Sequence, residues 1–576
     1  MIAESLPCGD GAGRPPLRVG ILLDGVRLPR CFADVLDSIT SSRCARIELL
    51  VFRAGPVPET LAATSRPARI AKILRDPRRR SLLLYGRYER WDRQRLAGVA
   101  EDPLEEIDCS QKLRGIERLD VEPITKGFVH RFPPPAIEAI RAKNLDVLVR
   151  FGFNILRGEI LQAARYGIWS YHHGDNDFYR GGPPYFWELV EKHPRSGVIL
   201  QVLSEALDAG TVIAKGVYAT EPGISLAKNR LRPYWASVSF LAQKLRELHD
   251  QGWEHVRQHA PATVPYQGKR PIYRTPTNAE LLGWLAPTLL RKALARPFRR
   301  ERVAHWRLAV RVGERHLAAE GAGLEGFRWI EPPAGHYHAD PFLFDHQGKR
   351  WLFFEDYRYA EQRAVIACAE LGAHGAVGER APVLDSGTHL SYPCVFAWKN
   401  DLFMIPESRA QHAVVLYRAV RFPFEWKRER VLFAGDVVDT SVWVDDGRIW
   451  FFVPRVDPRG GGIHLWLFSA DQPAADWRPH PASPISMDVR TARGAGAIFR
   501  QGEMLVRPAQ DCSRVYGYSF SLNQIVRLTD GEYEEQPLRT VEPGGADWAR
   551  GLSGIHTYAR APGVEIVDGF RWAAAR

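Results

Sequence analysis

The stretch "IWSYHHGDNDFYRGGPPYFWELV", residues 168–190, runs from an apolar segment into paired histidines, two aspartates, a Tyr-Arg-Gly-Gly turn and a Pro-Pro step, then returns to apolar residues. "IWSYHH" reads as a buried strand, so the polar cluster begins where that strand ends. Upstream the same rhythm recurs. "RVGILLDG" (18–25), "ARIELLVFRAG" (45–55) and "LDVLVRFGF" (145–153) are strand-like apolar runs. "PRCFADVLDSITSS" (29–42), "AIEAIRAKN" (136–144) and "RGEILQAARYG" (157–167) carry helical spacing between them. Alternating strand and helix predicts an α/β open, mostly parallel sheet. Ligands of such sheets sit at the carboxyl ends of strands, where this polar cluster lies. "GDGAG" at 9–13 precedes the first strand, so it lacks the strand-to-helix context of a dinucleotide fingerprint.

After residue 303 the rhythm changes. Copies begin near 338 ("HADPFLFDHQGKRWLFFEDY"), 391 ("SYPCVFAWKNDLFMIPES"), 439 ("DTSVWVDDGRIWFFVPRV") and 494 ("GAGAIFRQGEMLVRPAQD"), with a shorter one at 553 ("SGIHTYARAPGVEIVDGF"). Each holds an apolar strand, a tight turn, an aromatic strand and a polar corner. A period of roughly 50 residues lies in the propeller range, and five copies predict an all-β five-bladed propeller. "HWRLAVRV" (305–312) is placed to complete the short last copy. A β-sandwich is the alternative, and the repeated corner chemistry argues against it. The predicted organisation is an α/β domain over 17–255, a basic helical linker over 256–302 and a propeller over 303–576.

A chain of 576 residues exceeds one ordinary core, and 45% hydrophobic with 25% charged residues suits a soluble globular protein. No apolar run is long enough to span a bilayer. The first residues lack a signal-peptide pattern, and the seven cysteines form no C-x-x-C pair, so a reducing, cytoplasmic location is expected. The net charge of +11 favours anionic partners. It concentrates in "RDPRRR" (75–80) and "RKALARPFRRER" (291–302), read as a solvated face and a basic linker, with peripheral membrane contact open for the latter. No nucleic-acid module is recognisable, and no nucleic-acid partner is expected.

Five motifs in order make residues 18–215 resemble the formyltransferase family: "FGFNIL" (151–156), "SYH" (170–172), "YRGGPPYFW" (179–187), "SGVIL" (196–200) and "LDAG" (207–210). The resemblance implies 10-formyltetrahydrofolate as donor, an amine as acceptor, and a folate slot lined by Phe151, Gly152, Phe153, Ile155 and Leu156. It implies His172, Asp208 and Ser170 as catalytic residues. The chemistry fits these types, because an amine attacking a formyl carbon creates an oxyanion and sheds a proton. A histidine oriented by a carboxylate serves both needs. Tyr179 and Arg180 would shape the amine site. Three departures stand out: Ser170 replaces the family's asparagine, "HGDND" (173–177) replaces an apolar "P-S-L-L-P", and Thr211 replaces an aspartate. Asp175 and Asp177 of that loop are candidate contacts to an amino-sugar.

The repeats resemble sugar-acting propellers of the glycoside-hydrolase type, and more closely the propeller beside glucosamine inositolphosphorylceramide transferases. "HADPFLF", "FFEDY", "LSYPCVF", "MIPES", "DTSVW" and "RPAQDCSRVYGY" carry the likeness. Asp340, Tyr392 and Asp439 start equivalent strands, and Glu355, Glu407 and Arg507 are placed at equivalent corners, a set suited to a sugar-containing ligand. Asp340 as base and Glu407 as acid form the candidate pair for hydrolysis. His336, His338 and Asp340 share a strand face by period-two spacing. That admits a metal or a plain polar mouth, and no metal site is assigned. The function that combines both halves is formyl transfer to an amine, most plausibly of an amino-sugar in envelope glycan synthesis. The alternative is a glycan-binding or glycosyl-transferring protein whose formyltransferase-like half is inactive.

Overall fold

The computed structural model describes residues 14–55, 81–262, 264–295, 302–314, 316–319 and 321–574. The "GDGAG" segment, the basic run 75–80 and residues 296–301 of the second basic run lie outside them. The chain divides into two compact units, Met1–Pro297 with Arg459–Gly461, and Phe298–Pro458 with Gly462–Arg576.

The first unit is built on one seven-stranded sheet. Its strands are β1 (Leu17–Leu23), β2 (Ala45–Arg53), β3 (Glu117–Val121), β4 (Val147–Arg150), β5 (Ile168–His172), β6 (Arg195–Val202) and β7 (Thr211–Ala219). They lie in the order β7-β6-β5-β4-β1-β2-β3. The pairs from β3 through β5 are parallel, and β6 and β7 run antiparallel. Val19, Ile21, Leu22, Val147, Leu148 and Val149 are fully buried, as strands covered on both faces require. The 26-residue helix Leu226–Gln251 lies against β6 and β7 and buries Trp235, Phe240 and Leu241, and Ser225 caps its start by accepting from the Lys228 N–H.

Strand order reverses between β1 and β4, which makes their carboxyl ends the crevice of the sheet. Phe151 N–H and Gly152 N–H both donate to Leu22 O, at 3.0 and 2.8 Å. A side chain on Gly152 would place its Cβ 2.3 Å from Asp24 N and 2.5 Å from Leu23 C, so only glycine lets the two strand ends meet. Beyond the sheet, Tyr273 bridges to Gly181, Trp187 Nε1 donates to Arg274 O (2.9 Å), and Leu281 of the helix Asn278–Ala295 is buried in the aromatic cluster of Tyr85, Tyr179, Trp187 and Trp235. Leu290 and Leu294 at the far end of that helix are exposed. Among the described residues no helix is long and apolar enough to cross a membrane.

The second unit consists of five antiparallel sheets. Each of the four middle copies in the sequence forms its own sheet. The remaining sheet joins the two ends of the unit: Arg302–Val312 pairs along eleven residues with Val564–Ala574, flanked by Arg328–Ile330 and Tyr558–Ala561. The sheets are separate, and none closes on itself.

Gly152→Ala is expected to destabilise the first unit by about 1–3 kcal/mol or more, because the new methyl meets backbone that cannot yield. Thermal unfolding followed by circular dichroism should show an earlier transition than wild type.

Candidate functional site

In the first unit β5 ends in His172, which is 8% exposed. Its Nδ1 lies 3.4 Å from Asp208 Oδ1, and its Nε2 lies 2.8 Å from the Tyr179 carbonyl. Asp208 has a left-handed backbone (φ 50°) and accepts from the Gly181 N–H through Oδ2 at 2.9 Å. The "LDAG" and "YRGG" turns thus close on the histidine from two directions. Gly174 packs under the ring, where a Cβ would sit 2.8 Å from Nε2.

Ser170 is fully buried, two residues back on the same strand. Its Oγ accepts from Arg150 Nε (2.9 Å) and donates to Tyr171 O (3.2 Å). Arg150 also donates to the Phe153 and Asn154 carbonyls at 3.1 and 3.0 Å. Burial pushes its guanidinium below the ordinary value, against the pull of Asp208 and Asp24. Sequence reading passed over Arg150 because it closes an apolar strand run, where a charge is read as a strand end. The predicted folate slot divides. Gly152, Phe153 and Leu156 are core, whereas Phe151 and Ile155 are half-buried beside exposed Asn154. Phe151 stacks on Phe32 at 4.6 Å between centroids.

Asp175 and Asp177 are both held by Lys215 Nζ, at 2.7 and 2.6 Å. Tyr179 donates to Glu191 Oε2 (3.1 Å), and Arg180 lies over the Tyr266 ring at 4.5 Å. These residues brace the loop around the histidine. Lys215 was not foreseen. It sits on β7, at the point where the loop's two acids need a cation.

The second unit gathers polar residues at equivalent registers of four of its sheets; in the fifth, Pro454 O accepts from Val438 N–H at that register. Glu355 pairs with Ala339, Glu407 with Ser391 and Gln510 with Arg493. Asp568 donates its N–H to Thr557 O at the matching place. Gln510, not Arg507, therefore occupies the corner equivalent to Glu355 and Glu407. Arg507 is 1% exposed and forms a two-pronged bond to Glu535 (2.7 and 2.8 Å) within its own sheet. Asp340, Tyr392 and Asp439 all take the left-handed region, with φ 51°, 47° and 42°. For non-glycine residues this costs about 1–3 kcal/mol each and is typical of functional positions. Ladder irregularities between Ala339 and Phe342, and between Ser391 and Cys394, redirect the first two side chains.

These side chains form one network. Asp340 accepts from Thr557 Oγ1 (2.9 Å) and from Tyr392 N–H (3.2 Å). Its own N–H donates to Asp568 (3.0 Å). His556 Nδ1 lies 2.7 Å from Asp568, and its ring stacks on Trp306 at 3.9 Å. Asp439 accepts from Gln510 Nε2 (2.9 Å) and from Arg493, whose guanidinium also lies 3.6 Å from Glu407. Glu355 accepts from Tyr337 OH at 3.1 Å. Burial, with Asp340 as the nearest like charge, raises the Glu355 carboxyl well above its ordinary range. Burial and Asp439 do the same to Glu407. Asp340 is pushed up to about 6 by burial and by Asp439 and Asp568. Burial opposes charge on His556, but Asp568 and Asp340 outweigh it and raise the ring above 6.5.

Asp340, His556 and Asp568 have ligand atoms within 4.8 Å of one another. Their lone pairs are already occupied, since Asp568 accepts from three backbone N–H groups and from His556. The cluster is a closed hydrogen-bonded core rather than an open cation site. His336 and His338 instead turn to Asp356, at 2.7 and 3.4 Å. His556 and Asp568 were missed, although "IHTY" and "IVDG" align with "YHAD" and "FFED" once the short copy is read to its corner.

Residues 331–545 match the family model described as glucosamine inositolphosphorylceramide transferase 1, N-terminal. A glucosamine inositolphosphorylceramide transferase 1 of Oryza sativa subsp. japonica is 35% identical over 205 residues, covering 35% of this chain and 28% of that protein. One from Arabidopsis thaliana is 33% identical over 204 residues, covering 34% and 26%. A methionyl-tRNA formyltransferase of Pelotomaculum thermopropionicum is 27% identical over 206 residues, covering 33% of this chain and 62% of that protein. The chain thus spans about a quarter of the plant transferases and less than two thirds of the formyltransferase. The first half is formyltransferase-like, and the C-terminal part is similar to the N-terminal part of the plant transferases.

The raised groups set a pH dependence. A group that binds its proton more tightly when folded adds stability below its unfolded pKa and loses it as pH rises through the folded one. For Asp340 that loss runs from 3.8 to about 6. Glu355 and Glu407 continue it upward from 4.5, and His556 from 6.5. Asp356 is held at about 2 by His338 and His336 against burial, and works in the opposite sense only below 3.8. Between pH 5 and pH 8 the raised carboxyls thus contribute a falling slope to the melting temperature, while His338, His389, His464 and His480, lowered by burial, contribute in the opposite sense. Glu407→Gln should flatten that slope in calorimetric scans.

Proposed function

We propose that the first unit transfers a formyl group from 10-formyltetrahydrofolate to an amine, and that the second unit, read as a five-bladed propeller, recognises the sugar-containing acceptor. The observation that carries this is the His172–Asp208 pair, brought together at 3.4 Å at a strand end of a sheet with ligand-binding topology. A folate fits the half-buried apolar surface of Phe151 and Ile155 beside exposed Asn154, on a loop whose backbone is held in place by Arg150, Asp24 and Leu22. When bound, the folate supplies the activated formyl group.

The chain's own residues supply the rest. Asp208 orients the His172 ring, and Gly181 N–H and Tyr179 O lock that arrangement. The Nε2 edge of His172, turned onto the Tyr179 carbonyl at 2.8 Å, would exchange that carbonyl for the substrate to stabilise negative charge on the formyl oxygen or take the proton shed by the amine. In the second unit, ionisable groups and aromatic rings at equivalent sheet corners match the hydroxyls and faces of a sugar. Asp340 is engaged by donors on both oxygens, so it suits recognition better than the base role of a hydrolase.

A second reading has its own support. The Ser170 hydroxyl is used in both senses, by Arg150 and by Tyr171 O, and offers nothing to an oxyanion. Loss of one such donor costs about two to three orders of magnitude in rate. In this reading the first unit binds without transferring, and glycan recognition by the second unit is the working activity.

Calorimetric titration of 5-formyltetrahydrofolate tests the first reading. Micromolar binding is expected, weakened at least about tenfold by Phe151→Ala (about 1.4 kcal/mol). In an amine screen with 10-formyltetrahydrofolate, His172→Ala should lower turnover by about 10²–10⁴. Absence of folate binding at millimolar ligand overturns the reading. Folate binding without transfer to any amine selects the second.

A further inference from the structure

The helix Phe186–Glu191 buries a carboxyl group that the proposed reaction does not use. Glu188 is 1% exposed, and its Oε1 has no hydrogen-bond partner. It lines a small cavity with His173, Gly181, Tyr185, Trp187 and Tyr273, which has room for about one water-sized group. His173 Nε2 is likewise buried without a partner. Leaving a buried carboxyl oxygen unbonded forfeits its solvation without return, so the arrangement calls for an occupant.

The surroundings specify its chemistry. Asp175 is neutralised by Lys215, and Glu191 accepts from the Tyr179 and Tyr273 hydroxyls (3.1 and 3.0 Å). Arg230 is engaged by Glu89 and the Pro184 carbonyl. No cation of the described residues pairs with Glu188. Burial, then Asp175 and Glu191, raise its carboxyl to about 8 against Arg230, while burial lowers His173 to about 3. Tyr179, Tyr185, Trp187 and Tyr273 supply aromatic walls, while Arg180 of the same lining is engaged by the Tyr266 ring at 4.5 Å and the Asn176 carbonyl.

The cavity is also part of the candidate site. Tyr179, whose carbonyl holds His172, and Gly181, whose N–H holds Asp208, both line it. We infer that this cavity is the seat of a primary ammonium group, that of the amine acceptor, held by the Glu188 carboxylate. This rests on reading the first unit as acting on an amine. The proton on Glu188 leaves to solvent as the cation enters, so an ion pair replaces a neutral acid. To attack, the nitrogen first returns one proton to the Glu188 carboxylate and leaves the cavity as the free amine, its second proton passing to His172; the formylated nitrogen, larger and uncharged, is disfavoured in the cavity.

The test is difference infrared spectroscopy of the full chain titrated with methylammonium chloride. The expected result is loss of a protonated-carboxyl stretch. That loss should be absent in Glu188→Gln, retained in Glu407→Gln, and absent with the bulkier tetramethylammonium chloride. Methylammonium affinity should fall at least tenfold in Glu188→Gln. If that variant does not fold, Glu188→Asp should shift the band. No band lost in wild type, a band retained in Glu188→Gln, an unshifted band in Glu188→Asp, or an equal response to tetramethylammonium overturns the inference. Band loss without formyl transfer sinks the proposed reaction and leaves the ammonium site standing. Transfer without band loss sinks the site alone.

Discussion

A carboxylate taken out of water must find donors or keep a proton, and both units are arranged around that constraint. In the first, Asp208 gains the Gly181 N–H and the His172 ring, which draws two distant turns onto the end of β5. In the second, Asp340 gains Thr557 and the Tyr392 N–H, while Asp568 gains three backbone donors and His556. These bonds join strands of separate sheets. Where donors run short, as at Glu355, Glu407 and Glu188, the group keeps its proton well above the usual range.

The departures from the formyltransferase pattern belong together in space. The apolar segment of the family becomes a polar loop whose Asp175 and Asp177 require Lys215 on β7. The asparagine becomes Ser170, and Arg150 packs against its hydroxyl. Buried His173 and Glu188 line a small cavity with Tyr179 and Gly181, which touch His172 and Asp208. The loop thus places ionisable groups where the formyltransferase pattern is apolar.

Much of this was readable before the fold. The alternation of strands and helices announced the parallel sheet. The spacing of His172 and Asp208 announced their meeting, because a strand end and a following turn at that distance return to the same edge. The repeat announced five sheets, and strand 305–312 paired with the chain's end as its position suggested. Arg507 shows the limit. It sits in the right motif, but the side-chain period is two, and a three-residue offset turns it to the opposite face of its strand, where Glu535 takes it. Gln510 holds the corner instead.

By itself the sequence determined that one half is α/β and the other all-β and repeating, and most of the residue types at the polar corners, because period and turn chemistry are local properties. Only the tertiary structure decided which of those residues meet. That Arg150 reaches Ser170, that Lys215 is shared by two aspartates, and that His556 rather than His338 joins Asp340 all depend on strands remote in the chain. Their meeting follows from long-range strand pairing, and the energy of a buried charge is set by neighbours that such pairing delivers.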